Sequence, residues 1–210
     1  MSIITSLSRT ARIAGATVVL VISSADALLA QHDAPRTATW EARVASGAFV
    51  GVGDQRQSLK DAQVTSLQIS RLVQPLIAIT GTFAWARSRD LASIGTPKLD
   101  VFGSDIGLEA RSAERGVNRD VSIRAFAGFG GGARSYNHRS LDIAATHNLA
   151  AYASVGGEVG MGRVALRVEA RDYTTGFRPL SGAGSSVARN DVVLMGALRL
   201  NRHRVAQSSK

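Results

Sequence analysis

The sequence predicts an all-β protein: an eight-stranded antiparallel up-and-down transmembrane β-barrel, preceded by a signal peptide. Three observations carry that prediction. Apolar and polar residues alternate with period two through long segments. Short and longer connections alternate between those segments. The N-terminus has the pattern of an export signal.

The chain divides into a signal peptide at 1–30, a barrel at 31–204 and a short basic tail at 205–210. Arg9 and Arg12 supply the positive start of the signal, and Ile13 to Ser24 the apolar run. Small residues follow at Ala25, Ala27 and Ala30, which offer cleavage after Ala30 or after Ala27. A membrane-spanning helix needs about 20 apolar residues. The run at Ile13–Ser24 is shorter, and Asp26 follows it.

Eight strands are expected at about 38–52, 62–74, 76–88, 99–112, 120–136, 147–160, 163–177 and 189–202. The clearest is RVALRVEARDY. There Val164, Leu166, Val168 and Ala170 share one face, and Arg163, Arg167, Glu169, Arg171 and Tyr173 share the other with Ala165. A helix would scatter both sets around its circumference. VSIRAFAGFGGGARSY, SDIGLEAR, WEARVASGAFV and DVVLMGALRLN repeat the pattern. Strands in soluble domains average about five or six residues, whereas a tilted membrane-spanning strand needs about nine to eleven. The expected segments are of the longer kind.

The links after strands 2, 4 and 6 read as short: Gln74-Pro75, Ser112–Arg119 and Met161-Gly162. Pro75 stops a strand because it has no N–H for the ladder. The links after strands 1, 3, 5 and 7 are polar and mostly longer: GDQRQSLKD, RDLASIGTPK, NHRSLDIAAT and RPLSGAGSSVA. Short turns at one end and longer loops at the other are the pattern of membrane barrels, and an even strand count puts both chain ends on the short-turn side.

Alternation does not say which face points out. Only three of the 25 basic residues are lysines (Lys60, Lys98 and Lys210), and none falls inside an expected strand. A solvated sheet carries lysine freely, whereas a crowded lumen favours the multi-donor fork of arginine. The polar face also carries both signs: Glu41, Arg43, Asp105, Glu109, Arg111, Arg124, Glu158, Arg167, Glu169 and Arg171. Buried charges must pair, so these ten are expected to form a structural network filling the lumen. Trp85, Phe102, Tyr136, Tyr152, Tyr173 and Phe177 fall near expected loop ends and Trp40 near a turn end, the positions of an aromatic girdle, although parity turns some of them inward.

With strands, turns and signal in place, the chain resembles the small eight-stranded outer-membrane β-barrels, including the OmpA transmembrane domain, OmpX and the outer membrane protein β-barrel domain family. The resemblance covers roughly 38–202 and includes the stretches FAGFGGGARSY and LRVEARDYTTGF. It implies a barrel in the cell outer membrane, inserted by the barrel assembly machinery. Roles in that family range over envelope stability, adhesion and narrow conductance. The chain departs from it at the C-terminus: the last strand ends near Leu200-Asn201 without an aromatic, and RHRVAQSSK follows.

Other chemistry finds little support. The net charge of +9 is dispersed along the strands, which argues against a nucleic-acid partner. No cysteine is present, so no disulfide or thiolate site is possible. GFGGGA at 128–133 matches a dinucleotide fingerprint in form but lies inside a strand rather than opening a helix. No cofactor is therefore expected. The four histidines have no metal-ligand spacing. His138 and His147 flank one loop with Ser140 and Asp142 between them, yet a serine nucleophile needs a histidine held by a third group.

The sequence thus points to a non-enzymatic outer-membrane barrel with a structural role or loops that bind surface partners. A narrow solute channel, a lipid-modifying enzyme and a soluble lipocalin-like barrel remain as alternatives.

Overall fold

The computed structural model describes residues 40–53, 55–118, 120–139, 141–142, 144–161, 164–177 and 187–200. The expected signal at 1–30, Ser140, the turn at Gly162-Arg163, the loop 178–186 and everything after Leu200 lie outside the described residues.

Eight long strands form the wall: β1 Trp40–Val52, β2 Ala62–Gln74, β3 Ile77–Arg89, β4 Lys98–Arg111, β5 Val121–His138, β6 Thr146–Met161, β7 Val164–Phe177 and β8 Val187–Leu200. Each bound falls within two residues of the sequence expectation. Lys98 opens β4, so one lysine does stand in a strand, at its very start. Every strand pairs antiparallel with its sequence neighbour, and β1 pairs with β8 from Ala45↔Ala197 to Val52↔Asn190. The sheet therefore closes on itself, and the wall has no free edge. Closure satisfies the ladder N–H and C=O groups within the wall, which a chain in hydrocarbon requires.

One connection differs from expectation. The link 112–120 is no shorter than the links 53–61, 90–97 and 139–145 at the opposite end. Arg115 and Gly116 pair with Ile123 and Ser122, so this link doubles back onto the start of β5. The Ser112 N–H donates to Ala125 O at 2.8 Å and anchors the return. Pro75-Leu76 is the tight turn that the proline predicts. The end holding these two links is called the turn end below, and the opposite one the loop end.

The strands turn their apolar residues outward. Exposed are Val44 on β1, Leu67 and Ile69 on β2, Ile79 and Phe83 on β3, and Ile106 and Leu108 on β4. The belt continues through Ile123 and Phe129 on β5, Val155 on β6, Leu166 and Val168 on β7, and Leu194 and Leu198 on β8. Soluble monomers rarely expose a continuous apolar patch of more than a few hundred Å². Here the belt runs round every strand.

Inside, the lumen has two layers. Towards the loop end an apolar cluster forms, in which Phe49, Leu59, Val64, Leu99, Val101 and Tyr136 are almost wholly buried together, and Gln55, Asp90 and Asp191 are buried at that end too. Leu59 reaches this cluster because the link after β1 folds back into the mouth through a single helical turn, α1 (Gln55–Ser58). The fold-back is tied by Leu91 N–H to Ser58 O at 2.8 Å and by Lys60 N–H to Arg89 O at 3.0 Å. Towards the turn end the lumen is charged.

Two inward glycines make room for large lumen side chains. A Cβ on Gly107 would sit 2.1 Å from the Tyr152 hydroxyl oxygen, and one on Gly156 would sit 2.2 Å from Phe126 Cζ. The GFGGGA stretch runs straight through β5 and opens no helix.

Candidate functional site: a charged lumen

Period-two geometry puts all ten expected network residues on the inward face. Eight of them are almost wholly buried, while Glu41 and Arg124 are partly so. Arg111 touches Glu41 at 3.0 Å, and its Nε donates to Glu109 Oε1 at 2.7 Å. From the other side Arg167 donates to Glu109 Oε2 at 2.6 Å and to Glu169 Oε2 at 3.0 Å. Arg171 Nε donates to the remaining oxygen of Glu169. Arg171 also donates to Thr82 Oγ1 at 3.1 Å and lies 4.0 Å from Asp105. Tyr173 closes the series by donating its hydroxyl to Asp105 Oδ2 at 2.7 Å. A continuous relay of alternating charge thus crosses the barrel from β1 through β4 to β7. Arg43 lies beside Glu41 at 3.9 Å and donates to Ser70 Oγ. Arg124 and Glu158 pair separately at 2.8 Å, across the β5–β6 ladder that sets them opposite each other.

The arginines use their faces as well as their edges. Arg167 stacks 3.3 Å from the Phe126 ring centroid, Arg134 lies 4.0 Å over Tyr173, and Arg171 lies 4.8 Å over Tyr152. A planar guanidinium can serve a carboxylate at its edge and an aromatic ring at its face at once, which an ammonium cannot. Tyr136, Tyr152 and Tyr173 are therefore lumen residues, not parts of an outer girdle. Trp85 and Phe102 do face outward, and Phe83 stacks near Phe102 with ring centroids 6.3 Å apart. The Phe177 side chain lies outside the described residues.

Sequence reasoning did not include Arg134 and Asp191 in the network, although both are buried on the inward face. Parity could have found Arg134, which shares the face of Arg124 on β5. Between the rims the described inward side chains then supply six carboxylates (Glu41, Asp105, Glu109, Glu158, Glu169, Asp191) and six guanidiniums (Arg43, Arg111, Arg124, Arg134, Arg167, Arg171). Arg189 adds a further cation at the loop-end rim, bonded to Ser58 Oγ. The space left among Arg43, Ser66, Gln68, Arg167 and Met195 is about 10 Å³. That is about the room one water needs.

The two loop histidines do not come together. His138 is buried against Asp90 at 3.3 Å, and Ser93 donates to the same carboxylate oxygen at 2.7 Å. His147 lies on the outward face, with its Nδ1 2.6 Å from Ser135 Oγ across the β5–β6 ladder. Among the described residues no carboxylate forms an ion pair with His147. No group of three or more His, Asp or Glu residues suited to a metal occurs among the described residues.

No family model matches the sequence, and no curated protein matches it. Similarity appears in the fold. The crystal structure of Neisserial surface protein A superposes with a TM-score of 0.51 at 7% identity, covering 80% of this chain and 100% of that one. The N-terminal β-barrel domain of Pseudomonas aeruginosa OprF gives a TM-score of 0.40 at 9% identity, covering 76% of this chain and 98% of that one. The closed ring of eight antiparallel strands, and its superposition on Neisserial surface protein A over the whole of that chain, make the fold that of the small outer-membrane β-barrels.

Proposed function

We propose that this chain is a non-enzymatic barrel of the cell outer membrane, with a lumen sealed by ion pairs and a structural or surface-interaction role. The observation that carries the reading is its inverted polarity. Apolar side chains ring the outside on every strand, while buried arginine and carboxylate fill the inside. In water both halves of that arrangement would be unfavourable. In a bilayer the outer belt meets hydrocarbon, and the charges meet each other.

The same polarity disfavours a soluble lipocalin-like barrel. The water-sized void disfavours a channel. Near-balance of charge supports a packing role for the network rather than ion selection. The partners follow from this reading: outer-membrane lipid around the belt, the assembly machinery during insertion, and surface partners at the loops.

Membrane fractionation tests the location, since the protein should leave the membrane only with detergent. Planar-bilayer recording of the refolded chain tests the seal. No steady unitary current is expected, and a stable ohmic conductance would replace this reading with that of a channel.

A further inference from the structure

The outward face of β3 reads, every second residue towards the loop end, Ile79, Gly81, Phe83, Trp85, Arg87, Arg89. Along one strand it passes from aliphatic to aromatic to cationic. At a rise of about 3.3 Å per residue, Arg87 lies roughly 13 Å beyond Phe83. The cationic part does not stand alone. Lys98 on β4 is in register with Arg89, and Lys60 lies against Arg89 through a backbone hydrogen bond of 3.0 Å. With Arg139 these residues line an outward-opening cleft of about 320 Å³.

The cleft differs from the lumen in its pairing. Asp100 is occupied: Arg139 Nε donates to it at 2.9 Å and Trp85 Nε1 at 3.2 Å. That carboxylate holds the Arg139 guanidinium above its usual pKa, and Arg139 in turn closes one side of the cleft. Asp61, not Asp100, is the carboxylate in the lining. Among the described residues none of Lys60, Arg87, Arg89 or Lys98 makes an ion pair. Arg87 stands opposite Asp100 in the β3–β4 register, and its guanidinium lies 4.3 Å from the Trp85 ring centroid. Asp61 offsets only one of the four exposed cations crowded at this rim, and the remaining excess is repulsive unless a further anion joins them.

We propose that this cleft binds the phosphate groups of a phosphorylated lipid headgroup in the leaflet at the loop end. Arginine forks and lysine ammoniums are the side chains that bind phosphate, the first through paired N–H donors and the second as a point charge. The aromatic band directly below gives the depth of the hydrocarbon boundary, where tryptophan and its neighbours settle. A phosphate attached to an acyl-bearing headgroup sits just above that boundary, at the level of Arg87 and Lys98. A free phosphate offers the same chemistry but would draw nothing from the Phe83–Phe102 surface beneath. The assignment rests on the membrane reading above.

The test uses the full chain folded in detergent, with closure verified by heat-modifiable gel migration. Native mass spectrometry then measures binding of diphosphoryl lipid A, of the same lipid stripped of both phosphates, and of inorganic phosphate. Diphosphoryl lipid A should bind at least tenfold more tightly than the stripped lipid. Arg87→Gln/Arg89→Gln/Lys98→Gln should remove at least tenfold of that affinity while the barrel stays closed, because none of the three side chains enters the lumen. Added salt should weaken binding to the unaltered protein, a readout that needs no variant. Equal binding of both lipids, or an unaffected triple variant, overturns the proposal. Inorganic phosphate binding as tightly as the lipid overturns the lipid assignment. If the protein is extracted without detergent and binds neither lipid, the membrane reading itself has failed. If it needs detergent and only the charge effect is missing, the cleft proposal alone has failed.

Discussion

Replacing Glu109 by glutamine tests the lumen network at its centre. The Glu109 side chain is only 4% exposed and takes part in two ion pairs. One oxygen accepts from Arg111 at 2.7 Å, and the other accepts from Arg167 at 2.6 Å. Glutamine keeps the volume but removes the charge and turns an amide N–H₂ towards a guanidinium. Breaking a buried pair by removing one partner costs about 3–5 kcal/mol. Both arginines keep a second carboxylate, Glu41 for Arg111 and Glu169 for Arg167. The lower end of that range, about 3 kcal/mol, is therefore expected. At 1.36 kcal/mol per factor of ten, that lowers the folded-to-unfolded ratio by roughly two orders of magnitude.

The assay is urea unfolding of the chain refolded into phosphatidylcholine vesicles. Emission from Trp40 and Trp85 reports the transition, and gel migration reports closure. A double-mutant cycle with Arg167→Gln isolates the pair, and direct contact predicts a coupling of about 1 kcal/mol or more. A loss under about 1 kcal/mol, with the two substitutions simply additive, would mean that the carboxylate is not holding the arginines. The ion-pair account of the lumen would then be wrong.

Three further outcomes are expected. Ile106 is 71% exposed on the belt, so Ile106→Lys should destabilise the barrel in vesicles by about 2–4 kcal/mol if it lies near the bilayer midplane. The same substitution should have a much smaller effect in detergent, and equal effects would remove the belt from hydrocarbon. Gly107→Ala places a methyl 2.6 Å from Phe129 O as well as against Tyr152, and should cost about 1–3 kcal/mol in urea titration. Gly81→Ala, with nothing within 4 Å of the new methyl, is its neutral counterpart. Arg167→Lys keeps the charge but replaces three donor nitrogens serving Glu109 and Glu169 by one, and its urea midpoint should fall clearly below that of the unaltered protein.

The wall was legible because period two is a strong signal when one face is apolar throughout. In β7 every inward position from Arg167 to Tyr173 is polar or amphipathic, so parity alone assigns the face. Arginine without lysine then gave the direction, since the buried cations are guanidiniums used at edge and face together. Legibility failed at the loop end. In β4 Leu99 and Val101 point inward while Phe102, next in sequence, points outward, so both faces are apolar and alternation carries no sign. Leu59 looked like one apolar residue in a polar loop. A four-residue helix is too short to show a period, so nothing announced that it would fold back and deliver Leu59 into the mouth. The link 112–120 misled for a related reason. Its pairing with β5 sets Arg115 and Gly116 opposite Ile123 and Ser122, and a two-residue ladder is too short to show an alternation.

The charged lumen also answers a problem that an apolar one would create. Buried ion pairs are often no better for stability than well-packed hydrocarbon of the same volume. Leucine at Arg167, Glu169 and Arg171 would therefore be tolerable in the finished barrel. The strand would then run apolar from Val164 without a break until Asp172, and the same change on β4 would fuse Ile106, Leu108 and Ala110 into another such run. Low-charge segments of high β-propensity pair with one another before they pair in register, and long apolar runs are held in the first membrane they meet. Alternating charge keeps each strand too polar for either fate while the chain is unfolded. The cost appears only as desolvation on closure, when each charge meets its opposite across the barrel. The charged residues that line the lumen are thus the ones that let an outward-apolar strand travel through water.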